Sequence, residues 1–452
     1  MSNSNPTTAR AWQAARPGSV PGGAASWVAA VALVAGCWPI QAHANGFQIR
    51  TGSPDWSANA FAGMAAKGYD ASTAWTNPAA MVGLNGNEID VGINGLFPTI
   101  EFSGQNLLGG SPIPGSSGGN AGQAAATPSL EAVWSVSPDL KLGLSAEVPF
   151  GQRTVYPSDF VGRYQAEVSS ISDVEIGLVA AYRLTPTLSV GGGPIIDYFA
   201  ARLTSAINTG PTAALTGDPA VDVHGSSWSA GYHLSAFWAP TTAWRLGVDY
   251  RSRISQTIDG QQQVFIPPLL ASLSPPAAAA LSALNTPART RITLPDVLTL
   301  SAVWQVTPSL AGLATLQWTD WSLIQALTVT GANGRSSVLP LHFSDSWMGS
   351  LGVNYRPECL PALLLQAGVG LDQSPVSNAD RTPRLPNPAQ LLIGFGVTYE
   401  LTSSVKLQAA YLQEIGFGPS QISFSSGPTA GTLIGSYTTR VSVVSLGMAW
   451  RF

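Results

Sequence analysis

The clearest structural signal in the chain is "WSVSPDLKLGLSAEV", residues 134–148. After the turn residues "SPD", apolar residues at 140, 142, 144, 146 and 148 alternate with Lys141, Gly143, Ser145 and Glu147. A period of two residues with one apolar face predicts a half-buried β-strand. Because an aromatic residue, Trp134, stands just before the turn, the segment is interpreted as a β-hairpin whose first strand ends on an aromatic ring.

The same phrase recurs along the chain. "YRLTPTL" begins at Tyr182, "WQVTPSL" at Trp304 and "YELTSSV" at Tyr399, with looser copies in "WAPTTAW" from Trp238 and "YRPECLP" from Tyr355. Pro fixes φ in such turns, and Ser, Thr or Asp side chains bond back to the backbone. The aromatic residues keep the same distance from each turn, which predicts a ring of Trp and Tyr at one membrane–water boundary.

Composition indicates a membrane protein that crosses with strands. Only 10% of the 452 residues are charged, whereas about a quarter is usual in globular proteins. After residue 44 no run reaches the ~20 apolar residues of a spanning helix. Apolar residues at every second position predict a transmembrane β-barrel with lipid outside and a polar lumen. The net charge of −4 disfavours a nucleic-acid partner.

Fourteen strands are expected, so the predicted fold class is all-β, a 14-stranded antiparallel transmembrane β-barrel. They are placed near 88–97, 129–137, 140–149, 172–183, 187–199, 227–239, 243–254, 296–306, 309–318, 345–356, 363–371, 391–401, 404–413 and 441–452. Short connections carry the repeated phrase and alternate with long ones, as periplasmic turns and extracellular loops do. The final strand ends on Phe452, similar to the signal that barrel-assembly machinery recognises. A soluble propeller or sandwich is disfavoured because Lys is scarce.

Residues 1–44 are predicted to be a signal peptide. Arg10 and Arg16 precede the apolar run "AASWVAAVALVAG", and "AHA" ends at Ala44. "LVAGC" leaves an alternative in which Cys37 is a lipidated residue. After cleavage Cys359 is the remaining cysteine, so neither a disulfide framework nor a cysteine metal site is expected.

No metal, cofactor or catalytic residue is expected. The histidines show no metal spacing, and Ser235 beside His233 is a poor candidate for a hydrolase pair. An outer-membrane enzyme or adhesin is therefore kept only as a rival hypothesis.

Residues 45–87 lack the strand alternation and are predicted to form a hatch that plugs the lumen of the barrel, residues 88–452. Ala60 to Ala66 suggest a short helix. Asp70 to Met81 suggest another, with Asn77 and Pro78 as cap and first turn. A lumen of fourteen strands would otherwise admit water. The "GGGP" segment, residues 191–194, is expected to allow close backbone approach in a strand.

Several motifs resemble the long-chain fatty-acid outer-membrane transporter family, which includes transporters of aromatic hydrocarbons. They are "NGFQ" at residue 45, "AGMAAKGYDASTAWTNPAAM", "LPDVLTLSAVWQVTPSL" and "LDQSPVSNADRTPRLPNP". Asn77, Pro78 and Ala79 match the family's Asn-Pro-Ala motif, and the resemblance covers residues 45–452. After "RTPRLP" the family usually continues with an acidic residue and an Arg, whereas this chain has residues 387–390, "NPAQ".

The resemblance implies passive uptake of long-chain fatty acids or similar hydrophobic compounds across the outer membrane. Substrate is captured by extracellular loops, enters an internal pocket, and leaves sideways through a kinked third strand when the hatch moves. The expected partners are a hydrophobic small molecule, lipopolysaccharide and outer-membrane lipid, and barrel-assembly machinery, with the protein a monomer. Uptake of aromatic hydrocarbons and a general porin remain alternatives.

The candidate site residues fall into four groups. Asn77, Pro78 and Ala79 are candidates for gating, although an ordinary helix cap has the same spacing. Pro149 and Gly151 are candidates for the strand kink, because Pro removes a ladder hydrogen bond, although they could simply end the strand. A hydrophobic ligand groove is assigned to Phe265, Ile266, Leu269, Leu270, Leu273 and Leu281. Contact with lipid A or packing of one loop on another is the alternative for these residues. A ligand carboxylate is assigned to Arg153 and Arg163, which could instead bind lipopolysaccharide phosphate.

Overall fold

The computed structural model describes residues 46–418 and 420–452. The predicted signal peptide and Cys37 lie outside the described residues, so the choice between cleavage and lipidation stays open. Within the described part of the chain, no helix is long and apolar enough to cross a membrane.

Fourteen antiparallel strands close into one barrel, as predicted. β1 pairs with β2 on one side and with β14 on the other, from Glu88 opposite Arg451 to Leu107 opposite Thr432. The strands are β1 (Glu88–Leu108), β2 (Ala125–Ser135), β3 (Leu140–Glu147 and Gly151–Val155), β4 (Val168–Arg183), β5 (Leu188–Ala206), β6 (Ala220–Trp238), β7 (Trp244–Arg251 and Ile254–Phe265), β8 (Thr286–Leu294 and Val297–Thr307), β9 (Leu310–Thr319), β10 (Ser346–Tyr355), β11 (Leu363–Asp372), β12 (Ala389–Glu400), β13 (Val405–Phe417) and β14 (Thr432–Arg451).

The repeated phrases are turns, and a hydroxyl holds most of them. The backbone N–H of Leu188 donates to Thr185 Oγ1 at 3.0 Å, and those of Leu310 and Val405 donate to Thr307 and Thr402 at 3.1 and 3.0 Å. The aromatic residues beside the turns lie on the outer face, with Trp134 42% and Tyr182 52% exposed. The aromatic residues of the predicted ring therefore face outward. The hydroxyl that closes most of these turns explains why the phrase recurs.

Most strands run further toward the loop end than predicted. β1 continues to Leu108 rather than 97, and β14 begins at Thr432 rather than 441. These outer segments carry exposed polar residues such as Ser103 and Gln105, so the apolar–polar alternation disappears. Backbone hydrogen bonding between the strands nevertheless continues, because strand pairing does not require one apolar face.

The hatch, defined here as the described residues 46–87, contains helices α1 (Pro54–Ala58) and α2 (Thr73–Thr76) and a 3-10 helix, Pro78–Gly83. The helix predicted at Ala60 to Ala66 is wrong. Ala60 and Phe61 have φ of 48° and 68°, a left-handed conformation that cannot continue an α-helix. The second predicted helix is divided at Asn77, whose extended backbone is what a following Pro requires.

The loop end carries the remaining elements. Helices α3 (Ala213–Thr216), α4 (Pro268–Leu273) and α5 (Pro275–Ser282) belong to the loops after β5 and β7. The 3-10 helix Gly210–Thr212 also belongs to the loop after β5, and a second 3-10 helix, Trp321–Leu323, belongs to the loop after β9. Four short strands complete the loops: Ser111–Pro112, Ala326–Gly331, Ser336–Pro340 and Gln421–Phe424. The loop end thus carries additional helices and short strands, whereas the turn end consists of short turns.

Candidate functional site

The hatch lies inside the barrel and bonds to its wall on all sides. Inward-facing polar side chains from strands around the circumference contact it, namely Asn94, Ser189, Ser235, Ser301, Thr315, Gln366 and Gln408. Hydrogen bonds stabilise buried polar groups, and here wall side chains bond to groups of the hatch. The polar lumen face predicted from the alternation is therefore the surface that holds the hatch.

Asn77 and Ala79 are tied to β5 and β6. Asn77 Nδ2 donates to the carbonyl oxygens of Ala65 at 2.6 Å and Ala236 at 3.1 Å. Its side chain makes no helix-cap hydrogen bond, although the residue directly precedes the 3-10 helix. The Ala79 N–H donates to Ser235 Oγ at 3.0 Å, and Ser189 Oγ donates to the Ala79 carbonyl at 2.7 Å. The motif thus anchors the hatch to the wall rather than capping a helix.

Gly191 makes this anchoring possible. A Cβ at this position would lie 2.6 Å from the backbone nitrogen of Ala79, closer than packed atoms can approach. The expectation that "GGGP" admits close backbone approach is confirmed at this residue. Pro78, which opens the 3-10 helix, is buried beside it.

β3 is interrupted where Pro149 and Gly151 were predicted to bend it. Its first segment ends at Glu147 and its second begins at Gly151. The start of the hatch pairs with the interruption, since the Ile49 N–H donates to the Pro149 carbonyl at 2.7 Å and the Gly151 N–H donates to the Phe47 carbonyl at 2.9 Å. Pairing of β3 with β2 stops at Ala146, while its second segment pairs with β4. The kink therefore leaves a break in the ladder between β2 and β3.

An apolar cluster fills the lumen beside this kink and is named here the lumen cluster. It packs rings from the hatch, the kink and the loop between β9 and β10. Phe47 lies 4.9 Å from Trp321 and 5.7 Å from Phe150, and Trp321 lies 6.0 Å from Phe343, all edge-on. Its members are Phe47, Phe150, Ile195, Phe199, Ile254, Ile258, Leu294, Trp321, Ile324, Phe343, Val376 and Leu385. Apolar surface inside a polar bore is where a hydrophobic solute would be held.

The lumen cluster was not predicted from the sequence. Its members come from many elements and share no local motif. A usable signal existed in β5, where Ile195 and Phe199 occupy inward positions that are polar elsewhere in the barrel. An apolar residue on the lumen face is the exception that marks a site in such a wall.

The residues of the predicted hydrophobic groove differ in exposure. Phe265, Leu269 and Leu273 are exposed, at 57%, 44% and 59% respectively, whereas Leu270 is buried. Ile266 and Leu281 are partly buried. These residues lie on α4, α5 and the end of β7, at the loop end of the barrel, and not in the lumen cluster. They form an external apolar surface.

The two arginines proposed for a carboxylate lie apart. Arg153 is exposed on the second segment of β3. Arg163 Nε donates to Asp218 Oδ2 at 2.8 Å, an ion pair that ties two loops together. Arg384, which was not singled out, stands next to Leu385 of the lumen cluster and donates to backbone carbonyls of Val168 and Thr204. Burial lowers the pKa of Arg384 to about 10, so the side chain remains a cation at neutral pH.

Ser235 and His233 do not form a hydrolase pair. Ser235 Oγ donates to the Gly191 carbonyl at 3.2 Å and accepts from Ala79, while His233 Nε2 is bonded to Asp249. Both residues are therefore engaged in holding the wall and the hatch.

A cavity of about 970 Å³ opens below the hatch at the turn end. Its lining includes hatch residues Gly68 and Tyr69 and turn residues Thr185, Thr307 and Thr402. Hatch residues and turn residues thus line this cavity together.

A closed barrel with an apolar outer face and an internal hatch that meets a kinked strand defines a class of outer-membrane transport proteins. The chain belongs to the outer membrane protein transport protein family (OMPP1/FadL/TodX), whose model matches residues 35–452. The protein is accordingly an outer membrane transporter of hydrophobic compounds, and its family is made up of transport channels rather than enzymes.

Similar proteins span nearly the whole chain. A protein of Neisseria meningitidis serogroup B described as an outer membrane protein is 26% identical over 91% of this chain and 95% of its own length. The long-chain fatty acid transport protein of Escherichia coli O6:H1 is 23% identical over 94% and 95%. A Pseudomonas aeruginosa FadL homologue of known structure superposes with a TM-score of 0.82, 23% identity, and coverage of 90% and 100%.

Proposed function

We propose that this protein takes up long-chain fatty acids passively. The observation that carries the proposal is the lumen cluster, a large apolar surface inside a polar bore, located where the hatch meets the kink. A long acyl chain gains about 0.8 kcal/mol for each methylene removed from water, so such a surface favours entry without an energy source. The similarity to the Escherichia coli relative named for fatty acid transport supports this substrate class.

The proposed route has three steps. The exposed apolar surface of Phe265, Leu269 and Leu273 captures the molecule at the loop end, and the lumen cluster then receives it. The hatch blocks the straight path to the periplasm, so release occurs sideways at the kink formed by Pro149 and Gly151. The pairing of Ile49 with Pro149 links the hatch to that exit.

Asn77, Pro78 and Ala79 are proposed to set the resting position of the hatch. Their hydrogen bonds to Ser189, Ser235 and Ala236 support a gating role, because displacing the hatch requires breaking them. Buried hydrogen bonds without replacement partners make such displacement costly unless substrate contributes binding energy.

The carboxylate is proposed to meet basic side chains on the way in. Arg153, exposed near the kink, suits the first contact, and Arg384 suits the position beside the lumen cluster. Arg163 is a weaker candidate because Asp218 already pairs with it.

Uptake of monoaromatic hydrocarbons is the second candidate. The edge-on packing of Phe47, Phe150, Trp321 and Phe343 provides ring edges and faces that suit an aromatic solute. A small aromatic ring has no carboxylate, so its uptake would not depend on Arg153 or Arg384.

One experiment separates the two. A strain lacking the gene, complemented with this protein or with empty vector, is supplied with radiolabelled oleate and, separately, radiolabelled toluene. The proposal expects oleate accumulation to depend on the protein and to decrease in Phe343→Asp, which places a charge in the lumen cluster. Protein-dependent uptake of toluene without oleate would establish the second candidate, and dependence of neither would reject both.

A further inference from the structure

Two arginines of β7 hold the hatch in the same manner. Arg245 lies over the ring of Tyr69, 4.8 Å from its centroid, and Nη1 donates to the Lys67 carbonyl at 2.9 Å. Arg251 lies 4.3 Å from the ring centroid of Trp75, and Nη1 donates to the Trp75 carbonyl at 3.2 Å. Each combines a cation–π contact with a backbone hydrogen bond, and both contacts strengthen where water is excluded.

Arg251 differs from Arg245 in its acidic surroundings. It forms an ion pair with Glu175 of β4, which lies opposite Glu147 of β3 and two residues after Asp173 in the same strand. All three acidic residues are at most 4% exposed. Removing one partner of a buried ion pair leaves the other charge uncompensated, which is strongly unfavourable. The position of the Glu175 carboxylate therefore depends on Arg251.

Two of the three acidic residues lie at the kink. Glu147 is the last residue before the interruption in β3. Asp173 lies on β4 opposite the interruption, between Ser172, which pairs with Gly151, and Glu175, which pairs with Glu147. The ring of Phe150, within the interruption, belongs to the lumen cluster. Adjacent groups thus connect Trp75 in the hatch, through Arg251, with the exit side of the pocket.

We propose that Arg251 is a positioning residue that couples the hatch to the kink of β3. While Trp75 packs on the guanidinium, Arg251 remains paired with Glu175 opposite Glu147, and the kink keeps Phe150 turned inward. Movement of Trp75 removes both hatch contacts of Arg251, and the altered charge balance releases the kink. The inference rests on the proposed function, because it assigns this contact to hatch-dependent release.

A double-mutant cycle tests the coupling. Arg251→Lys, Trp75→Leu and their combination are compared for oleate uptake in the complemented strain. Either change alone is expected to raise the uptake rate severalfold, because the released kink opens the side exit. The double variant is expected to rise little above the single ones, because both changes break the same connection.

A local readout separates coupling from general destabilisation. In a Cys359→Ser background that also carries Phe150→Cys, the labelling rate with a hydrophilic maleimide reports opening of the kink. Arg251→Lys and Trp75→Leu are each expected to raise this rate roughly tenfold, and together by no more. The matched control is Arg245→Lys with Tyr69→Leu, which breaks the same kind of hatch contact away from the acidic residues and is expected to leave labelling unchanged.

The inference is overturned if labelling responds equally in both cycles, or if the effects of Arg251→Lys and Trp75→Leu multiply independently. Folding of each variant is checked by circular dichroism in detergent. Absence of oleate uptake by the unmodified protein would reject the proposed function instead, and the labelling assay would still decide whether hatch and kink are coupled.

Discussion

At the residue scale, Asn77 shows how a motif with two interpretations is resolved by its hydrogen bonds. Its amide bridges the hatch and the wall, donating to Ala65 and Ala236, and its side chain does not cap the helix that follows. The spacing alone could not distinguish these roles, because an Asn before a Pro suits both.

Asn77→Ala is predicted to raise oleate uptake by roughly tenfold or more, since displacing the hatch no longer requires breaking two buried hydrogen bonds of about 1 kcal/mol each. The measurement is initial uptake rate in the complemented strain. The matched control is Asn59→Ala, another hatch amide, which donates to the wall carbonyls of Val353 at 3.1 Å and Ala367 at 3.0 Å. Unaltered uptake by the Asn77 variant, or an equal change in the control, would remove the gating assignment.

Gly191→Ala is predicted to displace the hatch, because the new Cβ would lie 2.6 Å from the backbone nitrogen of Ala79. Overpacking of this kind costs about 1–3 kcal/mol, so a lower unfolding temperature and slower uptake are both expected. Gly312→Ala in β9 serves as control, since a Cβ there meets no described atom within 4 Å. Equal unfolding temperatures for the two variants would contradict the close approach at Gly191.

At the scale of elements, the interruption of β3 separates this strand from its continuous neighbours. Pro149 lacks the N–H that pairing with β2 would require, and its carbonyl is used by the hatch residue Ile49. The break in the ladder is therefore maintained by the missing N–H of Pro149 and by the hydrogen bond that Ile49 of the hatch donates to its carbonyl.

Pro149→Val is predicted to restore strand pairing with β2 and to reduce uptake severalfold, because a closed ladder leaves no side exit. Pro194→Val, in the paired part of β5, is expected to leave uptake unchanged. Amide hydrogen exchange near residues 148–151 provides the physical check, with slower exchange expected in the Pro149 variant. Faster uptake by this variant would argue against an exit at the kink.

Leu269→Ser combined with Leu273→Ser is predicted to raise the substrate concentration needed for half-maximal uptake severalfold, with little change in the maximal rate. Both side chains are exposed, so stability should change by less than about 0.5 kcal/mol for each. Val338→Ser, 59% exposed on a different loop, is the control. A drop in maximal rate alone would place these residues outside the capture step.

Sequence reasoning succeeded for elements with a local cause. Thr307 and its equivalents specify the turns, and the alternation around Leu142 specifies a strand face, so the strand number could be predicted. Prediction failed where contacts between residues far apart in the sequence determine the conformation. Ala60 and Phe61 adopt a left-handed backbone inside the packed hatch, and Trp321 meets Phe47 only when the barrel closes.

At the scale of the whole molecule, the barrel wall matches a bilayer. Between Trp238 and Trp228, both on the outer face, β6 climbs about 25 Å at about 3.3 Å per residue and a tilt of about 40°. Trp228 packs on Tyr198 with ring centroids 4.9 Å apart, which marks a second aromatic level. The outer face therefore suits contact with lipid, while the interior holds the hatch and the lumen cluster.

The central claim is that solute passes only when the hatch moves, and a reversible lock tests it most directly. The Cβ of Ala74 lies 3.1 Å from the position of a Cβ on Gly143 of β3, a few tenths of an ångström less than the ~3.5–4.5 Å between the Cβ atoms of a disulfide. In a Cys359→Ser background, Ala74→Cys with Gly143→Cys would tie the hatch to the wall. Oleate uptake is predicted to fall to the level of empty vector when the pair is oxidised and to recover when it is reduced. Equal uptake in the oxidised and reduced states would contradict the account.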